Sequence, residues 1–434
     1  MKRLLSVLLW SAIAAAFIGP GTVTAAASAG AAHRYALLWA LVFSTLTTFV
    51  LQEASGRLAL HSGEDLAAAL GRWAGGRWMA VLVAGAVILG CAAYQAGNLL
   101  GAVAGADLAF VRGDASGGTV PWLVALAVAA ACLLFLGSPR AVARALSALV
   151  ALMGVAFAIA AWRLAPPWGE VARGALVPDL PAGAGLLVLG LVGTTVVPYN
   201  LFLGSSLARG QSLAEMRFGL AVAIGLGGLI SLAVMVTGAA VTGEFSFAAI
   251  GAVLGERLGA GARRLFYLGL LGAGLSSAVT APLAAAITAR GLARRKDGDL
   301  WNPRRLRFRA VWAGVLAAGL MVGLTGLQPV PVILLAQALN GVLLPIVTVF
   351  LLLAVNDRAA LGSEGINGPW GNAALAVVSA VTVLLGVRLV ALAVAKALGL
   401  PQPPGLAMVV LAGVLGLLLA VPLARRIRSL RENR

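Results

Sequence analysis

Ile18-Gly19-Pro20-Gly21-Thr22 stands inside the first long apolar segment of the chain, and Thr194-Thr195-Val196-Val197-Pro198-Tyr199-Asn200 stands inside the sixth. Each places a proline in the middle of a stretch that is otherwise apolar enough to be helical. Proline lacks the N–H that the helix ladder needs, and its ring clashes with the preceding turn. Flanking glycines lower the cost of non-helical dihedrals. Both helices are therefore expected to unwind, over Gly19–Thr22 and over Val197–Asn200. Freed backbone groups cannot face hydrocarbon, so such a break must be buried in protein or line a cavity. A single break could be an ordinary kink. Two of them, in corresponding segments of two halves, are the arrangement expected of inverted repeats around a central site near mid-depth.

The rest of the chain supplies the spans that this arrangement needs. Hydrophobic residues make up 61% and charged residues 11%, against roughly 45–50% and about 25% in soluble domains. Runs of about 20 residues, enough to cross a bilayer, fall at approximately 4–30, 35–60, 78–106, 120–137, 141–163, 184–208, 218–242, 262–291, 308–326, 329–355, 371–396 and 405–424. The expected fold class is an all-α polytopic membrane protein forming one integral domain. Residues 1–163 form a first five-helix repeat, 184–355 the second, 371–424 two further helices and 425–434 a basic tail. The 55 glycines suit close helix–helix approach in lipid. Cys91 and Cys132 lie in apolar runs and are expected to be small buried hydrophobes, not a disulfide. Phe245, Phe247, Ile250, Val253 and Leu254 mark an amphipathic turn before the eighth span.

A formal charge of +17 invites a nucleic-acid reading, which its placement excludes. Arg290, Arg294, Arg295, Lys296, Arg304, Arg305, Arg307 and Arg309 crowd one connection, and Arg425, Arg426, Arg428, Arg431 and Arg434 form the tail. Arg57, Arg72 and Arg77 follow the second span, Arg140 and Arg144 the fourth, and Arg209 and Arg217 the sixth. Positive charge beside apolar spans is retained on the cytoplasmic side, so both termini are assigned there, in a bacterial-type cytoplasmic membrane. Arg163, Arg173, Arg257, Arg263 and Arg264 run against this bias without reversing it. Met1-Lys2-Arg3 opens the chain as a signal peptide would, but the apolar pattern continues past Gly21, and no cleavage is expected. The lipid bilayer is the macromolecular surround implied; oligomeric state is left open.

From Gly19 onward, GPGTVTAAASAGAAHRYALLWALVFSTLTTFVLQEASGRLALHSGEDLA resembles, without gaps, the first two spans of the Nramp metal-ion transporters. There an Asp-Pro-Gly-Asn motif precedes a small-residue helix and a Leu-Gln…Arg-Leu…Gly-x-Asp-Leu-Ala end. GTTVVPYNLFLGSSL resembles the family's sixth-span motif around Met-Pro-His, and LLAQALNGVLLPIVTVFLLLAVNDRAALG its tenth span. The resemblance implies a LeuT-type fold and alternating access. It places the family's metal-binding Asp at Gly19, its Asn at Thr22, its Met at Val197 and its motif His at Tyr199. The third-span Asp and Glu of the family's proton route fall on Gln95 and Asn98, and a second sixth-span His on Gly204. Every titratable group among these is replaced here by a neutral one.

A divalent ion in a low-dielectric site needs compensation, because desolvation costs several kcal/mol per ion. A site without the Met also lacks the soft ligand that favours transition metals. What remains is hydrogen-bonding material: Thr22, Thr24, Gln95, Asn98, Thr194, Thr195, Tyr199, Asn200, Gln337 and Asn340. Half-helix N-termini after Gly21 and Pro198 add N–H groups suited to an anionic group. The expected substrate site is Gly19, Pro20, Gly21, Thr22, Thr194, Val197, Pro198, Tyr199, Asn200 and Gln337, with Gln95, Asn98 and Gly204 on the former coupling route. A small polar or anionic solute fits this inventory; the alternative is a divalent cation, Mn²⁺, Fe²⁺ or Mg²⁺, held by carbonyls and retained water.

Other classes find little support. No His–carboxylate cluster, nucleophile elbow or G-x-x-x-x-G-K-[ST] loop occurs, so neither an enzyme nor an ATP-driven pump is expected, and no cofactor is implied. Glu53 reads as a snorkelled or loop-paired carboxylate, Arg388 as a headgroup-seeking side chain, and His33 and His61 as solvated loop residues.

Overall fold

The structure, a computed structural model, describes residues 18–72, 77–110, 119–137, 140–292, 299–397 and 405–432. Met1-Lys2-Arg3, the start of the first expected span, Arg294, Arg295, Lys296 and Arg434 lie outside the described residues. The chain runs α1 (Pro20–His33), α2 (Leu38–Ser62), α3 (Leu66–Arg72), α4 (Arg77–Phe110), α5 (Thr119–Leu136), α6 (Arg140–Arg163), α7 (Trp168–Leu176), α8 (Gly185–Thr195) and α9 (Pro198–Ala208). It continues through α10 (Leu213–Gly238), α11 (Phe247–Leu258), α12 (Ala260–Gly291), α13 (Leu306–Leu324), α14 (Pro329–Ala354), α15 (Arg358–Gly365), α16 (Pro369–Ala397) and α17 (Gly405–Glu432). Among the described residues, 9 helices are long and apolar enough to cross a membrane, with α8 and α9 counting as one span. The protein is an integral membrane protein of helices, as composition predicts.

Small residues decide which helices sit at the centre. α4 and α12 run side by side so closely that a Cβ on Gly105 would lie 2.5 Å from the Leu271 nitrogen. Without competing apolar solvation between helices in lipid, such backbone approach is what dispersion rewards. α8 and α9 are the most enclosed span, and α5 and α16 among the least. Large apolar side chains such as Phe135, Trp162 and Val377 point outward. Cys91 is buried as expected, but Cys132 is exposed. It sits on the outward surface of the peripheral α5, so its place in an apolar run signalled lipid rather than core.

The α8–α9 break is present among the described residues, and the helix after each expected break starts earlier than expected. Gly19 has extended dihedrals (φ −93, ψ 179) and caps α1, whose first residue is Pro20. Val196 (φ −93, ψ 74) and Val197 (φ −81, ψ 114) separate α8 from α9, which begins at Pro198. Pro20–Thr22 and Pro198–Asn200 are therefore helical, a correction to the expected unwinding. The reason is that proline fits the first helical position, where its missing N–H has no partner to lose and its φ is already set.

The two ends of the bundle differ. At one, α7 lies over the α1–α2 connection, with Gly174 against the Tyr35 backbone and Trp39 Nε1 donating to the Asp179 carbonyl at 2.8 Å. The expected amphipathic turn is there as α11, capped by Ser246 and burying Phe247, Ile250, Val253 and Leu254. At the other, basic end, α3 bridges α9 and α12. The Leu66 N–H donates to Ser205 Oγ at 2.9 Å, and Gly291 abuts the Ala67 carbonyl.

Candidate substrate site between the broken helices

The start of α1 and the α8–α9 break meet across the middle of the molecule. The hydroxyl oxygens of Thr22 and Thr194 lie 3.0 Å apart. α14 passes behind both. A Cβ on Gly193 would overlap the Gln337 carbonyl oxygen, and one on Gly21 would overlap Gln337 Nε2. Glycine at 193 thus lets two backbones touch, while glycine at 21 leaves the notch that the Gln337 amide fills. α4 closes a third side. Tyr94 donates its hydroxyl to the Gly193 carbonyl at 2.7 Å, and its ring meets Tyr199 edge-on, centroids 5.7 Å apart. From α2, Thr48 donates to the Thr195 carbonyl at 3.1 Å. Two carbonyls of the last turn of α8, which a broken helix leaves without ladder partners, are satisfied in this way by side chains from neighbouring helices.

What remains unsatisfied defines the chemistry. Buried polar atoms without a partner include Thr24 Oγ1, Asn98 Nδ2, Gln95 Oε1, Gln337 Oε1, Asn340 Nδ2 and both amide atoms of Asn200. Leaving such an atom unpaired costs about 1–3 kcal/mol, so those beside the break, on Asn200 and Gln337, mark a place for water or a bound solute. Neither α1 nor α9 has a side-chain cap at its N-terminus, which leaves first-turn N–H groups at the positive end of each helix dipole. All the donors are neutral. Among the described residues no group of three or more His, Cys, Asp or Glu could hold a metal ion. Val197, at the break, is buried and apolar.

Of the expected site residues, Gly19, Pro20, Gly21, Thr22, Thr194, Val197, Pro198, Tyr199, Asn200 and Gln337 fall on these three elements: the α1 start, the α8–α9 break and the α14 segment beside them. The Gln95 side chain turns to a different seam. Gln95 donates Nε2 to the Ala278 carbonyl of α12 at 3.2 Å and packs on Gly319 of α13, while the Asn98 carbonyl abuts Gly274. Gly204 is buried further along α9. Tyr94 and Thr48 were not among the expected site residues. A tyrosine in an apolar helix needs an acceptor for its hydroxyl, and that was the available signal for Tyr94; nothing in sequence aims Thr48 at the break.

A family model described as natural resistance-associated macrophage protein-like matches residues 11–392. The chain belongs to the Nramp family. A divalent metal cation transporter MntH of Pectobacterium carotovorum is 27% identical over 369 residues, 82% of this chain and 86% of that protein. MntH of Acidiphilium cryptum is 26% identical over 415 residues, 89% of this chain and 90% of its own length. The crystal structure of a mutant Eremococcus coleocola manganese transporter superposes with a TM-score of 0.69 at 20% identity, covering 99% of this chain and 94% of that one. Mhp1, a nucleobase-cation-symport-1 family transporter, superposes with a TM-score of 0.56 at 18% identity, covering 97% and 92%. These likenesses carry the fold, which is of LeuT type. This Nramp chain is a secondary membrane transporter.

Proposed function

We propose that this Nramp protein carries a divalent cation by alternating access, through a site of neutral oxygen donors that leaves the ion part of its water shell. The observation that carries the reading is the Thr22–Thr194 junction at 3.0 Å, set between the start of α1 and the α8–α9 break, in a chain whose curated relatives are named divalent metal cation transporters. Those relatives favour a cation over the small polar or anionic solute expected from the residues alone. The donor set then narrows the cation. Val197 gives no thioether, so soft-ligand selectivity for transition metals is missing. A hard ion that dehydrates reluctantly, such as Mg²⁺, suits hydroxyls, amide oxygens and waters. Without a carboxylate to offset desolvation, affinity is low, of roughly millimolar order.

The same substitutions bear on coupling and topology. Gln95 and Asn98 cannot exchange protons near neutral pH, so transport along that seam runs without them. The two proline breaks support residues 1–163 and 184–355 as inverted repeats, and the arginines of the basic end support its assignment to the cytoplasm.

A second reading, a small polar solute, has one observation in its favour: both amide atoms of Asn200 are unpartnered and buried. Titration calorimetry on purified protein separates the two. Mg²⁺ binding of millimolar order that is lost in Asn200→Leu and Gln337→Leu supports the cation. Absence of binding by both Mg²⁺ and Mn²⁺ moves the assignment to the solute, and micromolar Mn²⁺ binding overturns the argument from Val197.

A further inference from the structure

The charged residues of the basic end are wired into one network, and it reaches the C-terminal helix. Glu53 on α2 accepts from Arg57 Nε at 3.2 Å and from Arg217 of α10 at 2.6 Å. The Arg57 guanidinium is buried and extends away from α2 to the α15–α16 connection. There it donates to the Gly365 carbonyl at 2.6 Å and to Asn367 Oδ1. Arg431, in the last turn of α17, enters the same connection from the other side. It donates to the Asn367 carbonyl and to Asn356 Oδ1 at 2.8 Å. Asn356 and Asn367 both donate to Asn372 Oδ1, at 2.8 and 2.9 Å. Beside Arg431, Leu430 is only 2% exposed, so the helix end is seated and not merely close. A cavity of about 700 Å³, lined in part by Glu53, Arg57, His61, Arg217 and Asn367, borders the network.

α2 also grips the broken helix. Ser55 donates to the Leu201 carbonyl of α9 at 2.8 Å. Just past the end of α2, the Leu66 N–H holds Ser205 Oγ at 2.9 Å, and Ser206 donates to Asp65 Oδ2 at 3.3 Å. α2 is thus bonded on one side to the half-helix that lines the substrate site, and on the other to a connection fixed by α17.

We infer that the end of α17 is a positioning element of the transport cycle: Arg431 sets Asn367, Asn367 and Gly365 hold Arg57, and Arg57 holds α2 and α9 closed at the basic end. The family match stops at residue 392, whereas α17 begins at Gly405, so this control sits outside the part of the chain shared with the family model. Opening toward the basic end requires α2 to leave Gly365 and Asn367. Losing the Arg431 contacts makes that departure easier and shifts the population toward the open form.

The test reads opening without needing any substrate, so it stands or falls separately from the cation proposal. Leu58→Cys places a thiol at a buried position of α2 that faces the start of α15, in a Cys132→Ser background. Native Cys91, buried in the core, is the control for general loosening. Arg431→Ala is expected to raise the rate of labelling at position 58 by about tenfold, the scale of a lost charge-assisted hydrogen bond, with Cys91 labelling unchanged. Arg57→Gln should do the same, and Arg431→Lys should recover part of the protection. Unchanged labelling at position 58 in both Arg431→Ala and Arg57→Gln overturns the proposal. So does a parallel rise at Cys91, which would mark Arg431 as a general structural support.

Discussion

Two polar regions of this molecule are built on opposite terms. At mid-depth, Thr22, Thr194, Asn200 and Gln337 are buried and neutral, and polar atoms of Asn200 and Gln337 have no protein partner. At the basic end, Glu53, Arg57, Asn367 and Arg431 are charged or paired with charge, and the arginines and Glu53 find protein partners. The difference follows from what each must do. A fully satisfied buried network fixes one arrangement, which suits a closure. Unpaired donors and acceptors fix nothing until a solute arrives, which suits a binding site. Removing charge from the centre also removes the large desolvation term that an ion pair there would carry, and with it the strong attraction for a bare divalent ion.

Substitutions should break this contrast to graded degrees. The largest effect is expected at Gly193→Val, where a side chain would have to enter the Gln337 backbone; a loss of about 3 kcal/mol or more is expected, seen as loss of the monodisperse peak in size-exclusion chromatography. Arg57→Leu strips Glu53 of one partner and leaves the Gly365 carbonyl unpaired. It should lower stability by about 2–3 kcal/mol, measured by thermal unfolding in detergent. Tyr94→Phe removes only the hydroxyl that holds the Gly193 carbonyl and should cost about 1 kcal/mol, with the Tyr199 ring contact intact. Smallest is the coupling between Thr22→Val and Thr194→Val in a double-mutant cycle, about 0.5–1 kcal/mol. A zero coupling there would mean that the two half-helices are held together by packing alone.

How much of this was legible beforehand depended on whether the signal was local. Apolar runs and proline breaks are local, so nine of the twelve expected spans, the α8–α9 interruption and the amphipathic α11 could be read from residues. The breaks were placed about one turn late because proline was read only as a helix breaker, although it also starts helices well. Substitution at the family's motif positions was legible too, at Gly19, Thr22, Val197 and Tyr199. What could not be read were contacts between distant segments. Arg57 counted as one more basic residue near a span end, and only the fold brings it to Gly365 and Arg431, more than 300 positions away. Its spacing of four from Glu53 on one helix hinted at a pair but not at a network. Gly193 looked like any small residue of a membrane helix until α14 was seen against it.

The most direct test of a neutral, proton-free cation site is simultaneous measurement of Mg²⁺ uptake and lumenal pH in proteoliposomes. Uptake saturating at roughly millimolar Mg²⁺, abolished by Asn200→Leu and unaccompanied by acidification, is the predicted result. Lumenal acidification in proportion to Mg²⁺ uptake, or uptake that survives Asn200→Leu and Gln337→Leu together, would contradict it.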